Sequence, residues 1–315
     1  MMDDMDVVKQ PNDVLEGKSW LSFRKRIDDE ILKEMDKVRF LNIYQPICDA
    51  LQGGKRIRAI LVLMANQVYD EPQESASDAM KVAVAIEMLH AAALVHDDIM
   101  DNSDYRRNEP TIYKKYGTDT AILAGNFLIS LAFKLANSVK AKYAAGCSLY
   151  LCDICMELVD GQLLDINSFD TEDLDSYYKL IDGKTSSIIS LPMKILGVIN
   201  ENEQLSQHLF DYAREVARIL QILDDFYDAF IGDEKTSKTP GLDRLNGKKT
   251  IVDLVSNKDD LESMTRTQVK KAIQVTLAEH REAAHALLAR IDTPNTQALS
   301  DLDAYVWHML TKYTI

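Results

Sequence analysis

The chain has 315 residues, 46% of them hydrophobic and 27% charged, a balance that fits a folded globular protein and excludes an extended disordered one. Its formal charge of −14 argues against a nucleic-acid surface or a tightly held anionic membrane. A phosphorylated ligand would have to be held by local cations against that field, and metal ions are the obvious supply.

The first stretch, MMDDMDVVKQ, is acidic where a secretory signal would be basic and then apolar. Residues 1–18 are expected to form a flexible acidic segment, and the protein is expected in the cytoplasm. From Leu21 onward apolar residues recur at helical spacing, and strand-length alternation is scarce. Helices are predicted near 19–36, 38–51, 56–70, 76–100, 118–140, 142–166, 172–182, 185–199, 203–229, 250–256, 265–291 and 295–313. The connectors YDEPQES, RRNEPT, GDEKTSKTPGLDRLNGKK and DTPNT are too short or too charged to split the chain, so residues 1–315 read as a single all-α domain. No window reaches the eighteen or so uncharged apolar residues that cross a bilayer, so no integral membrane segment is expected. Cys48 stands apart from Cys147, Cys152 and Cys155; CDIC has CxxC spacing, but without a second pair or a nearby histidine these read as core thiols.

Two stretches carry the chemistry. LVHDDIMD at 94–101 and QILDDFYD at 221–228 each end an apolar helical run in Asp-Asp-x-x-Asp. Residues i and i+4 share a helix face, so Asp97 and Asp101 present two carboxylates to one point, with Asp98 turned about 100° away. Asp224, Asp225 and Asp228 repeat the arrangement. Stacked like charges repel, and a helix C-terminus disfavours anions further. A solvated acidic helix end explains one such motif better than it explains two, both fused to core-facing runs. Hard oxygen ligands without sulfur or paired imidazoles suit Mg²⁺ bridging to a phosphate.

Basic residues gather around these motifs: GGKRIR at 53–58, YRR at 105–107, GKT at 183–185 between two predicted helices, and Lys235, Lys238, Lys248 and Lys249. In so acidic a chain they look selected for anions. The Walker pattern fails at GKT, which lacks the first glycine and the preceding strand, and this argues against a nucleotide hydrolase. No Gly-x-Ser-x-Gly elbow is present, and the histidines suggest neither a triad nor a zinc cluster. His90 and His96 share the helix of the first motif.

Taken in order, GGKRIR, LHAAALVHDDIMD, RRNEPT, AILAGNFL, GQLLD, KTS, QILDDFYD and KTPGLDRLNGKKT resemble the motifs of the trans-prenyl diphosphate synthases, or polyprenyl synthetases, over residues 53–250. The resemblance implies the all-α isoprenoid synthase fold, one large helical bundle around a deep central cavity, usually as a homodimer. It implies Mg²⁺-dependent head-to-tail condensation of isopentenyl diphosphate with an allylic prenyl diphosphate. It would make Asp97, Asp101 and Asp224 ligands to about three Mg²⁺ ions, with Asp98, Asp225 and Asp228 in support. Arg106, Lys184, Lys238 and Lys248 would contact the allylic diphosphate, and Lys55, Arg58, His90 and Arg107 the isopentenyl diphosphate. Thr185 and Gln221, beside Lys184, would face the allylic cation. Such a reaction needs no protein nucleophile: the protein supplies positioning, charge neutralisation and a dry apolar cavity.

Three positions depart from the family pattern: Ala59 replaces a proline, Asn108 a glycine, and Leu220 an aromatic before Gln221. These are expected to alter packing and to leave activity in place. An isoprene unit extends about 5 Å, close to the 5.4 Å helix pitch, so each turn back from Asp97 lies about one unit deeper. The first turn back offers Ala92 and Ala93, where short-chain members of the family carry aromatics, and the next offers Met88 and Leu89; Phe127, Leu131 and Phe133 come from a neighbouring helix. An all-trans product of C20 or longer is expected. The alternatives are a farnesyl diphosphate synthase, the catalytic subunit of a two-component synthase, and, less favoured, a type I terpene cyclase, whose second metal motif would differ from DDFYD.

Overall fold

The longest stretches of helical apolar spacing become the longest helices. A computed structural model describes residues 19–107, 109–167, 173–230, 248–255 and 266–311; the predicted N-terminal segment 1–18, Lys235, Lys238 and Asn108 lie outside the described residues. The helices are α1 (Ser19–Asp36), α2 (Tyr44–Leu51), α3 (Ile57–Asn66), α4 (Pro72–Met100), α5 (Ile112–Tyr116), α6 (Thr118–Ala136), α7 (Ala141–Ile166), α8 (Leu174–Ile181), α9 (Ser187–Ile199), α10 (Glu203–Phe230), α11 (Ile251–Val255), α12 (Arg266–Leu288) and α13 (Thr296–Thr311). The fold is all-α, apart from a hairpin in which β1 (Tyr105–Arg106) pairs antiparallel with β2 (Glu109–Pro110). That hairpin and α5 are too short to leave a periodic signature and are absent from the sequence prediction.

Two boundaries move for reasons visible in the sequence. The helix predicted from residue 38 begins at Tyr44, which leaves Pro46 in the first turn, where a missing amide costs no helical hydrogen bond. Helix α4 begins at Pro72 in place of residue 76, again with proline at its N-terminus.

Helix α4 is apolar on all sides because it is enclosed by α1, α2, α3, α6 and α9. Ala79, Ala83, Ala85 and Ala92 are almost wholly buried, which lets neighbouring helices approach closely, and buried Ile86 and Met88 each contribute about 1.5–3 kcal/mol. Gly125 of α6 serves the same approach: a Cβ there would sit 2.2 Å from Nε2 of His96. The main core runs from Phe23 of α1 to Leu310 of α13, and a second cluster, including Tyr177, Ile222, Phe226 and Ile273, lies between α8, α10, α11 and α12. By length and hydropathy alone α4 and α6 would pass as membrane-spanning helices, but 72% of the apolar window of α4 is buried in the protein, against 44% for α6.

The cysteines divide. Burial raises the thiols of Cys147 and Cys155 to about 11, which keeps them protonated and inert, and Cys48 is half-buried. Cys152 is exposed, which corrects the expectation of a core position. It lies on the outer side of α7 among exposed apolar residues such as Leu149, Met156 and Val159.

GKT does not stand between helices. Residues Asp182–Ser186 form a π-helical turn that joins α8 to α9 without a break, and the amide of Ser187 donates to the carbonyl of Asp182 five residues back. Such widened turns concentrate at functional sites. The Ser187 hydroxyl donates to the Gly183 carbonyl and the Ser190 hydroxyl to that of Ser186, so side chains satisfy acceptors that the widened turn displaces. Two glycines press this turn onto α7: a Cβ on Gly161 would lie 2.3 Å from the Lys184 amide nitrogen, and one on Gly183 would lie 2.9 Å from Cα of Gly161. Gly161→Ala is expected to force these backbones apart and to lower the unfolding free energy by about 1–3 kcal/mol. Urea or thermal denaturation checks it, and unchanged stability would show that the contact relaxes at no cost.

Candidate active site

The site grows from the C-terminal end of α4. Asp97 lies in its last turn and Asp101 caps it, its amide donating to the Asp97 carbonyl at 2.8 Å, so the i,i+4 stacking survives past the helix end. Cations from other segments meet these carboxylates. Lys184 Nζ, from the π turn, lies 3.4 Å from Asp97 Oδ1, and Gln162 Nε2, from α7, donates to the same oxygen at 2.8 Å. Lys248 Nζ donates to both Asp101 oxygens at 3.0 and 3.2 Å. Asp165, one turn beyond Gln162 on α7, accepts from both amines, Lys184 at 2.6 Å and Lys248 at 2.7 Å.

The electrostatics follow from this crowding. Burial and the charge of Asp97 hold the Asp101 carboxyl above its ordinary value, although Lys248 opposes them. Burial pushes Asp165 up as well, but Lys184 and Lys248 outweigh it and hold that carboxyl low. For both lysines, burial is outweighed by the neighbouring carboxylates, and the ammonium form is stabilised. Among the described residues no three His, Cys, Asp or Glu side chains are grouped to cage a metal by themselves. The donor set nevertheless fits a hard divalent cation: Asp97 and Asp101 are two part-buried carboxylates at i,i+4 that offer hard oxygen ligands to one point.

The second motif lies on α10, where Asp224 is exposed and Asp228 half-buried. Lys248 donates to Asp101, and three residues later the Ile251 amide donates to Asp225 at 3.3 Å. Three residues span at most about 11 Å, so this one segment brings the two aspartate motifs to the same end of the bundle.

The middle aspartate of each motif turns inward. Asp98 is 3% exposed and is gripped by Arg106, whose Nε donates at 2.9 and 3.0 Å and whose NH2 lies at 2.8 Å. Asp225 is 5% exposed and accepts from the Tyr177 hydroxyl at 2.6 Å and from Gln221 Nε2 at 2.8 Å. The Thr185 hydroxyl donates to Gln221 Oε1 at 2.6 Å, so the amide of Gln221 is oriented from both ends.

Beside the carboxylates lies a basic cluster. Arg58 NH1 donates to His90 Nε2 at 3.0 Å, which leaves the proton of neutral His90 on Nδ1. Burial, together with the charges of Arg58, Arg107, Arg106 and Arg56, holds the His90 pKa well below its ordinary value. Arg107 NH1 donates to the Gln52 carbonyl at 2.9 Å, which ties the hairpin to the glycine loop, and Lys55 is exposed there. Arg56 adopts a left-handed backbone with φ of 56° and reaches back to Asp28, the Leu51 carbonyl and Glu87. Gly54 makes that possible, since a Cβ would lie 2.7 Å from Arg56 NH1.

Of the chain-length candidates, Met88 and Ala92 are fully buried and Leu89 is 2% exposed, whereas Ala93, four residues before Asp97, is half-buried. An apolar void lined by Leu61, Met193, Leu209 and Val306, among others, touches none of them. Sequence reasoning missed Gln162, Asp165, Tyr177 and Arg56 as parts of the site. The spacing of Gln162 and Asp165 within GQLLD, i and i+3 on one helix face, is the signal that could have found the first two.

The sequence profile of the polyprenyl synthetase family matches residues 41–291. A short chain isoprenyl diphosphate synthase of Methanocaldococcus jannaschii is 33% identical over 72% of this chain and 69% of its own length. A geranylgeranyl diphosphate synthase of Saccharolobus solfataricus is 32% identical over 76% of this chain and 71% of its own. The crystal structure of a geranylgeranyl pyrophosphate synthetase from Pyrococcus horikoshii superposes with a TM-score of 0.74 at 27% identity, covering 92% of this chain and 97% of that one. With its aspartate motifs, lysines and arginine cluster meeting at one end of an all-α bundle, the chain belongs to the polyprenyl synthetase family and is a prenyltransferase.

Proposed function

We propose that the protein condenses isopentenyl diphosphate head-to-tail with an allylic prenyl diphosphate and releases an all-trans product of C20 or longer. The observation that carries this reading is the pair of anion sites side by side at the end of α4. One is built from carboxylates and the amines of Lys184 and Lys248; the other is the arginine cluster around His90. Arg106 joins them, since it grips Asp98 and its NH2 lies 3.9 Å from Asp97.

Asp97, Asp101 and Asp224 would hold the divalent metal, about three Mg²⁺ ions, with Asp98, Asp225 and Asp228 in support; bound there, the metal neutralises the allylic diphosphate as a leaving group. Lys184, Lys248 and Arg106 hold that diphosphate, joined by Lys238 from outside the described residues. Lys55, Arg58, His90 and Arg107 hold the isopentenyl diphosphate, and neutral His90 presents a proton on Nδ1. Thr185 and Gln221, locked to each other, are preorganised dipoles for the allylic cation. The proton lost from the isopentenyl unit leaves with the released diphosphate.

The expected length rests on Ala93, which keeps a small side chain half-buried one turn behind Asp97, and on relatives named for geranylgeranyl diphosphate. We read residues 1–315 as one domain acting in the cytoplasm as a homodimer. The dimer is supported by Leu149, Cys152, Met156, Val159, Leu163 and Ile166, which follow one another at spacings of three and four along the outer face of α7 and are all exposed. That heptad pattern is a helix-pairing seam, and Val159 is 71% exposed.

Purified protein given Mg²⁺, farnesyl diphosphate and labelled isopentenyl diphosphate is expected to yield all-trans products of C20 or longer, and Asp97→Ala or chelation of the metal should abolish turnover. Accumulation of C15 from geranyl diphosphate with no further growth would refute the length, and a fully active Asp97→Ala the site. Ala93→Phe should shift the product toward C15; unchanged sizes by chromatography would put the floor elsewhere. In sedimentation velocity the protein should run as a dimer and Val159→Lys as a monomer, whereas a monomeric parent would sink the seam.

A further inference from the structure

Lys184 and Thr185 reach the site from a π-helical turn, a rare geometry that α7 and α10 flank on two sides. Glycine contact with α7 supplies one side. The other is α10, which meets the turn at two rungs. Asp182 receives Arg218 Nε at 2.9 Å and NH2 at 2.5 Å, a two-pronged ion pair, and Thr185 donates to Gln221 at 2.6 Å. Both rungs join residues 36 apart in sequence, so the turn and α10 run alongside each other in fixed register, and the first rung lies one turn before the second.

The Arg218 side chain is only 16% exposed and is itself held. Its NH1 donates to Glu215 at 3.0 Å, and its guanidinium lies over the Tyr178 ring at 5.2 Å. Glu215 contacts His280 Nδ1 at 2.6 Å, and His280 Nε2 lies 2.9 Å from the Tyr178 hydroxyl. The network anchors Arg218 to α8 and α12, so the fork reaching Asp182 is a fixed strut. Asp182 also accepts from the Ser186 hydroxyl at 3.2 Å, which links the first residue of the turn to its last.

We propose that Arg218 is a positioning residue: through Asp182 it sets the π-helical turn so that Lys184 meets the allylic diphosphate and Thr185 meets Gln221. The inference rests on the proposed roles of Lys184 and Thr185. Arg218 reaches neither substrate nor metal in this scheme, so its influence falls on the allylic half of the site and spares the arginine cluster at His90. The planar fork holds the carboxylate at two points where a lysine would hold it at one, so a lysine keeps the charge and part of the register.

The test uses the whole protein with Mg²⁺, farnesyl diphosphate and isopentenyl diphosphate, comparing Arg218→Met, Arg218→Lys, Asp182→Asn and Lys184→Ala. Arg218→Met is expected to lower kcat on the order of tenfold and to raise KM for the allylic substrate severalfold, leaving KM for isopentenyl diphosphate within about twofold. Arg218→Lys should fall between it and the parent. Thermal midpoints are recorded beside the kinetics, and Asp182→Asn, which keeps shape and drops charge, replaces Arg218→Met if that variant does not fold. Parental kinetics in Arg218→Met, an equal rise in both KM values, or a lysine variant no better than methionine would overturn the inference. If Lys184→Ala is inactive while Arg218→Met is unimpaired, the inference alone falls. If Lys184→Ala keeps full turnover, the reading of the site falls and takes the inference with it.

Discussion

The rest of the structure depends on how negative charge is balanced at the end of α4. Asp97, Asp98, Asp101 and Asp165 bring four carboxylates together, and Lys184, Lys248 and Arg106 answer with three cations. Two unit charges 4 Å apart interact by about 4 kcal/mol at an effective dielectric constant of 20, so neither set could be buried here alone. The balance is visible in the opposite responses of two acids: Asp165, with two amines upon it, is held low, whereas Asp101, nearer Asp97 and partly desolvated, is held high. On the proposed reading, a ligand bringing both anions and divalent cations would let each lysine turn from carboxylate to phosphate without losing a partner.

That wiring needs backbones to come unusually close. Gly161 and Gly183 allow the π turn to touch α7, Gly54 leaves room for the Arg56 side chain, and Gly125 leaves room for His96. Arg56 and Arg107 both take left-handed backbone conformations, which cost a non-glycine residue of order 1–3 kcal/mol each. Their guanidinium contacts, to Asp28 and the Leu51 carbonyl in one case and to the Gln52 carbonyl in the other, offset that cost. Two of the four left-handed non-glycine residues among those described thus fall on the basic motifs that flank His90, the others being Asn102 and Glu201.

How far the sequence disclosed this follows from range. Helical periodicity is local, and the long helices and both aspartate motifs were legible from it. Pro46 and Pro72 moved two boundaries through a rule that acts within one turn. The resemblance to a known family brought the basic motifs into the same site. What stayed hidden depends on partners far apart in the chain. Asp165 is one acid among many until Lys184 and Lys248 fold onto it, and Arg218 reads as an ordinary helix surface residue until the π turn brings Asp182 into register. Cys152 was misplaced because a helix with two apolar faces gives no single answer to which side is the core.

The same point decides how the alanines of α4 are to be understood. Ala92 and Met88 are four residues apart and both fully buried, so they belong to a stripe packed against neighbouring helices. Ala93 belongs to the stripe of Asp97, and one turn further along it Leu89 is already 2% exposed. On the proposed reading the partly exposed stretch of α4 behind Asp97 spans one helical turn, about one isoprene unit, up to buried Leu89. Growth beyond that point depends on what α6 presents, where Leu131 is buried and Phe127 and Phe133 are only partly so. On the proposed reading product length then depends on α4 and α6 together, and the small residues that let those helices approach, Gly125 among them, bear on it beside the alanines behind the aspartates.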